Sequence, residues 1–159
     1  MRKNISSSIL KIIALLLILF IFLLSKVSFT DWFSKDVSFF SQNQSCDLHD
    51  GPCEIKDDEG RSFLLEISPK SIPLMEPLTF TLKTNYPNLE MLKGKIYATN
   101  MNMGVHLITL KSVKDGILEG EVVLPTCVVG NMKWRCEFVL PSKKDGEKKG
   151  VVFMFKTDR

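Results

Sequence analysis

Histidine is scarce in this chain: His49 and His106 are the two present in 159 residues. A hydrolytic triad would have to use one of them, yet no Gly-x-Ser-x-Gly elbow, phosphate-binding loop or His-Glu-x-x-His helix occurs. Acidic residues are missing before Asp31, so the extreme N-terminus carries positive charge alone. No basic stripe interleaved with aromatics occurs, which excludes nucleic-acid recognition from the expected functions. The formal net charge of +3 is an N-terminal effect: Arg2, Lys3 and Lys11 make up the whole excess of 21 basic over 18 acidic residues. Internal repeats and low-complexity segments are also lacking. Glu66, Glu119 and Glu121 fall on expected polar strand faces as solvated surface. Nothing here asks for an enzyme.

One long hydrophobic run is present, over residues 12–24, spanning roughly 20 Å as a helix at about 1.5 Å per residue. Counting from Ile9, with Lys11 snorkelling to the headgroups and Val27 and Phe29 completing the far side, it approaches the ~20 residues a bilayer requires. A secretory signal peptide is the other reading of such a run. The stretch Leu23-Leu24-Ser25-Lys26-Val27-Ser28 lacks a clear small-x-small cleavage site, and no cysteine follows for lipidation, which favours a retained anchor. Charge asymmetry keeps the N-terminus in the cytoplasm. The expected organisation is a cytoplasmic tail over 1–8, a transmembrane signal anchor over 9–29, a polar tether over 30–60 and a folded domain over 61–159. A bacterial inner membrane with the domain in the periplasm is the setting this suggests.

From Ser62 onward the pattern is that of strands. Phe63, Leu65 and Ile67 fall two residues apart, and Leu78, Phe80 and Leu82 alternate with Thr79, Thr81 and Lys83. Residues 94–99 give another short strand. Residues 105–111 and 117–124 flank Asp115-Gly116, a pair that tolerates the positive φ of tight hairpins. Met132, Trp134, Cys136, Phe138 and Leu140 share one face, and Asp145-Gly146 turns the chain into a last strand over 151–155. About seven short strands, with no helix beyond the anchor, predict an all-β antiparallel sandwich.

The chemistry concentrates in Asn100-Met101-Asn102-Met103-Gly104-Val105-His106 and, further on, Cys127 and Met132. On an extended edge Met101 and Met103 point to one side about 7 Å apart along the backbone, and Gly104 permits the sharp turn that brings His106 within reach. Thioether, thiolate and imidazole together make a soft donor set that favours Cu(I). Two other readings stay open: the methionines fill gaps in the core, and Cys127 is a buried thiol or a disulfide partner. Cys127–Cys136 pairing would need the loop to fold back over its own strand. Cys46 and Cys53 enclose His49 and a Gly-Pro turn; a local disulfide is the plain reading, and a second thiol site the sharper one.

The motifs Met101-Asn102-Met103-Gly104-Val105-His106, Asp115-Gly116, Gly120 and Gly130-x-Met132-x-Trp134 resemble those of the bacterial YtkA-like and FixH-like extracytoplasmic domains, over roughly residues 65–140. The resemblance implies an immunoglobulin-like sandwich tethered by one transmembrane helix. It also implies copper handling or respiratory-oxidase assembly, with oxidase-assembly or copper-chaperone proteins as partners. Met101, Met103 and His106 correspond to the metal edge, and Trp134 to a structural strand tryptophan. The expectation is a non-enzymatic copper-binding or copper-delivery accessory protein. Its alternative is a non-catalytic module of the cell envelope whose cysteines are all disulfide-bonded.

Overall fold

The alternation of Phe63, Leu65 and Ile67, and then of Leu78, Phe80 and Leu82, becomes a pair of antiparallel strands whose six apolar side chains are fully buried. The computed structural model describes residues 13, 15–17, 37–127, 130–141 and 148–157. Nine strands are present among them: β1 (Val37–Ser41), β2 (Cys53–Lys56), β3 (Ser62–Ser68), β4 (Pro77–Thr84), β5 (Met91–Ala98), β6 (Val105–Lys114), β7 (Ile117–Val123), β8 (Met132–Val139) and β9 (Lys148–Thr157). They hydrogen-bond in the order β1-β9-β8-β5-β6-β7-β4-β3-β2. Every pairing is antiparallel except β1 with β9.

The fold is all-β, as the pattern predicts. The strands form one continuous sheet, nearly closed like a barrel, where the sequence suggested the two layers of an immunoglobulin-like sandwich. Alternation tells which face of a strand is buried, but carries no information on which edges meet. The barrel interior is filled by one core that includes Phe63, Phe80, Trp134, Phe138 and Phe153. The Asp115-Gly116 hairpin joins β6 to β7, with Lys114 opposite Ile117. Gly116 has φ +69°, and a Cβ there would lie 2.7 Å from the Thr84 carbonyl oxygen, so glycine is required twice over. Asp145-Gly146 lies outside the described residues.

Residues 37–60, expected within the tether, contribute β1, β2 and the connection between them. Val37 onward forms one compact unit. Leu48, within the polar stretch, is fully buried in the core, and its flanking Asn, Gln and Asp residues had masked it. The expected anchor falls almost wholly outside the described residues; 13 and 15–17 are helical. Among the described residues no helix is long and apolar enough to cross a membrane.

Strand directions bring several connections to one end of the barrel. There β5 ends and β6 begins, with Tyr97 opposite Val105; β7 ends against the start of β4; and β8 begins beside the end of β9. The β5–β6 and β7–β8 loops therefore share that end, and they carry Met101, Met103 and Cys127.

Candidate metal centre

Met101 and Cys127, 26 positions apart in sequence, meet at this end. Cys127 Sγ lies 3.0 Å from Met101 Sδ, with the thiol donating. Both residues, and Met103, are half-buried and pack against the core cluster. Asn100 sets their relation, because its side chain bridges the two loops. Its Nδ2 donates to the Asn131 carbonyl at 2.9 Å, and its Oδ1 accepts from the Lys133 amide at 3.0 Å. Thr99 adds a backbone bond from its amide to the Lys133 carbonyl at 2.8 Å. The Gly130 amide donates to the Cys127 carbonyl at 3.3 Å. The sequence places Asn100 and Asn131 at loop ends, and only the β5–β8 pairing shows that they face each other.

Gly104, at φ +78°, turns the chain into β6, and its amide donates to Asn102 Oδ1 at 3.2 Å. His106 then falls in phase with the inward-facing Ile108 and Leu110. Its ring meets Trp134 edge-to-face at 6.3 Å between centroids, and Nε2 is buried with no hydrogen-bond partner among the described residues. A buried imidazole nitrogen left unpaired costs free energy unless a proton acceptor or a metal satisfies it. Met132 is fully buried at the start of β8. Of the five soft-donor residues, Met101 and Cys127 are in direct sulfur–sulfur contact; Met103 sits on the same core edge, His106 on the Trp134 side, and Met132 in the core. An open cleft of about 550 Å³, lined by Lys95, Tyr97, Asn100, Met101 and Val105 among others, gives the loop access to solvent.

Among the described residues no three His, Cys, Asp or Glu side chains gather where a metal ion would fit. The usual donors of zinc and of hard cations are thus not clustered, and a site here has to be built on thioethers.

The remaining cysteines separate by environment. Cys46 and Cys53 form a disulfide, as the plain reading of their spacing anticipates. Cys127 and Cys136 are free thiols, so the Cys127–Cys136 alternative is not realised. Cys136 points inward and is fully buried; burial first, and the adjacent Glu137 charge second, push its pKa far up, so it stays an inert thiol. Trp134 is buried and donates from Nε1 to Thr157 Oγ1 at 2.9 Å, consistent with a structural place.

Glu137 alternates with the inward-facing Cys136 and Phe138 and is itself buried. Tyr97 Oη donates to its Oε1 at 2.7 Å, Arg135 Nε donates to the same oxygen at 2.6 Å, and Lys95 Nζ pairs with Oε2 at 2.9 Å. Burial pushes this carboxyl up, but the three donors outweigh it and hold the group below the usual carboxylate range. The cluster braces β5 against β8 next to the β5–β6 loop. Comparison with protein-family models, curated proteins and solved structures gives no match for this chain.

Proposed function

We propose that this protein is a non-enzymatic Cu(I)-binding or Cu(I)-delivery accessory protein, anchored in a bacterial inner membrane with its barrel in the periplasm. One observation carries the reading: the Met101 thioether and the free Cys127 thiol touch at a barrel end that also bears Met103 and the unpartnered His106 Nε2. Thioethers bind without losing a proton, and Cys127 binds as the thiolate and releases one. Such a set retains a soft monovalent ion and disfavours hard divalent ones. The motif resemblance to YtkA-like and FixH-like domains points the same way, although the single barrel-like sheet is not the two-layered immunoglobulin-like sandwich that the resemblance implies. It adds respiratory-oxidase assembly as the process served and copper-chaperone proteins as partners.

Anaerobic Cu(I) titration of the full chain in detergent, against a chromogenic chelator, tests the reading. One equivalent is expected to bind, and Cys127→Ser is expected to weaken it at least about tenfold, the equivalent of about 1.4 kcal/mol. Absence of competition with the chelator would leave the second reading, a structural module of the cell envelope. The Cys46–Cys53 disulfide and the packing of Met101 and Met103 on the core favour that alternative, whereas the free Cys127 and Cys136 thiols count against its fully disulfide-bonded form.

A further inference from the structure

The seam of the barrel is closed by side chains. β1 covers only the first half of β9, from Val37 opposite Lys148 to Ser41 opposite Val152. Among the described residues no strand lies beside the outer edge of β9 beyond Val152. The Gln42 side-chain amide takes the place of a peptide group there: Nε2 donates to the Met154 carbonyl at 2.8 Å, and Oε1 accepts from the Met154 amide at 3.1 Å. Two residues further along the edge, His49 Nε2 lies 2.7 Å from the Lys156 carbonyl oxygen. On the other side of the seam, His49 Nδ1 lies 2.8 Å from the Lys70 carbonyl oxygen, in the β3–β4 connection. Both side chains come from the β1–β2 connection, which the Cys46–Cys53 disulfide ties back on itself.

This seam leads to the candidate metal centre through contacts already in place. Thr157, the residue after Lys156, accepts from Trp134 Nε1, and Trp134 presses edge-on against His106. Phe155 stacks on the same indole at 6.5 Å. A cavity of about 400 Å³ has Cys46, Gln42, Trp134, Phe155 and Lys156 among its walls, so the disulfide and the indole border one space.

We propose that the Cys46–Cys53 disulfide is a redox latch on the copper site: while oxidised it holds His49 on β9, fixes Trp134 behind His106 and slows release of the ion. The proposal rests on the copper reading above. The reductant it requires is a dithiol. Cys46 is half-buried and Cys53 fully buried, so a dithiol thiolate attacks Cys46 Sγ and expels Cys53 as thiolate. The second thiol of the reductant then attacks the mixed disulfide and releases Cys46. Two electrons pass to the protein, the two protons of the dithiol end on Cys46 and Cys53, and the reductant leaves as its disulfide. The loop regains the backbone freedom that the cross-link had removed, Gln42 and His49 leave the β9 edge, and the support behind His106 slackens.

The test uses the full chain in detergent, loaded with Cu(I) and mixed with excess bicinchoninate. Oxidised protein is compared with protein reduced by dithiothreitol and desalted anaerobically, and amide exchange at Met154 is followed in parallel. Reduction is expected to speed Cu(I) release at least about fivefold, the lower end of ordinary coupling between sites, and to speed exchange at Met154. His49→Ala, with the disulfide intact, should reproduce most of the acceleration, and so answers the case in which the reduced chain unfolds. Equal release rates from both redox forms and from His49→Ala would overturn the latch while leaving the copper reading intact. Failure of the oxidised protein to take up Cu(I) at all would show in the loading step and would overturn both.

Discussion

Glu137 shows how a single residue departs from its pattern. Its position between Cys136 and Phe138, both inward, places it on the outer face, yet it is buried because Lys95, Tyr97 and Arg135 converge on it. A carboxyl held below its ordinary pKa stabilises the fold above that ordinary value, about 4.3 for glutamate, and loses the contribution as pH falls through the lower folded-state value. Glu137→Gln should therefore destabilise the barrel by about 2 kcal/mol near neutral pH. Its stability should also fall less steeply than wild type below about pH 4. Urea unfolding across that range measures both. The candidate donors were legible because methionine, cysteine and histidine are rare enough to stand out. The Asn100 bridge and the Glu137 cluster were not, because each depends on the β5–β8 pairing, which joins residues some 30 to 40 positions apart.

At the scale of elements, β3, β4 and β8 lie where alternating apolar residues place them, and β6 and β7 where the Asp115-Gly116 hairpin places them. The Asp115-Gly116 hairpin was legible for a local reason, since the positive φ it needs is written in two adjacent residues. Gly116→Ala tests this directly. The left-handed backbone and the close Thr84 carbonyl should together cost about 2 kcal/mol, read as a lower urea midpoint with an unchanged slope. β1 and β2 escaped notice because they are short, five and four residues, and sit in a polar stretch. β1 also pairs in parallel with the last strand of the chain, a contact no local pattern announces.

For the whole molecule, the unresolved question at the sequence level was closure. Seven or more strands fit two stacked sheets as well as one rolled sheet, and the choice lies in edges meeting across the full length of the chain. Here closure relies on the connection from β1 to β2: Leu48 enters the core, Gln42 and His49 cap β9, and the disulfide holds the loop. Replacing Cys46 and Cys53 together by serine should lower unfolding free energy by about 2 kcal/mol, the low end for a disulfide because the loop it closes is short. Thermal unfolding of the barrel measures it, and an unchanged Tm would show that the loop closes the seam without its cross-link.

A competition titration of the Met101→Leu/Met103→Leu double variant puts the proposed Cu(I) site at the Met101–Cys127 end of the barrel to the test. Leucine keeps the volume of each half-buried side chain, so stability should change by less than about 1.5 kcal/mol per site. Cu(I) affinity is expected to fall at least about a hundredfold, close to 3 kcal/mol, while the Tm stays near wild type. Wild-type affinity in the folded double variant would contradict it, and would return the two methionines to the core as packing residues.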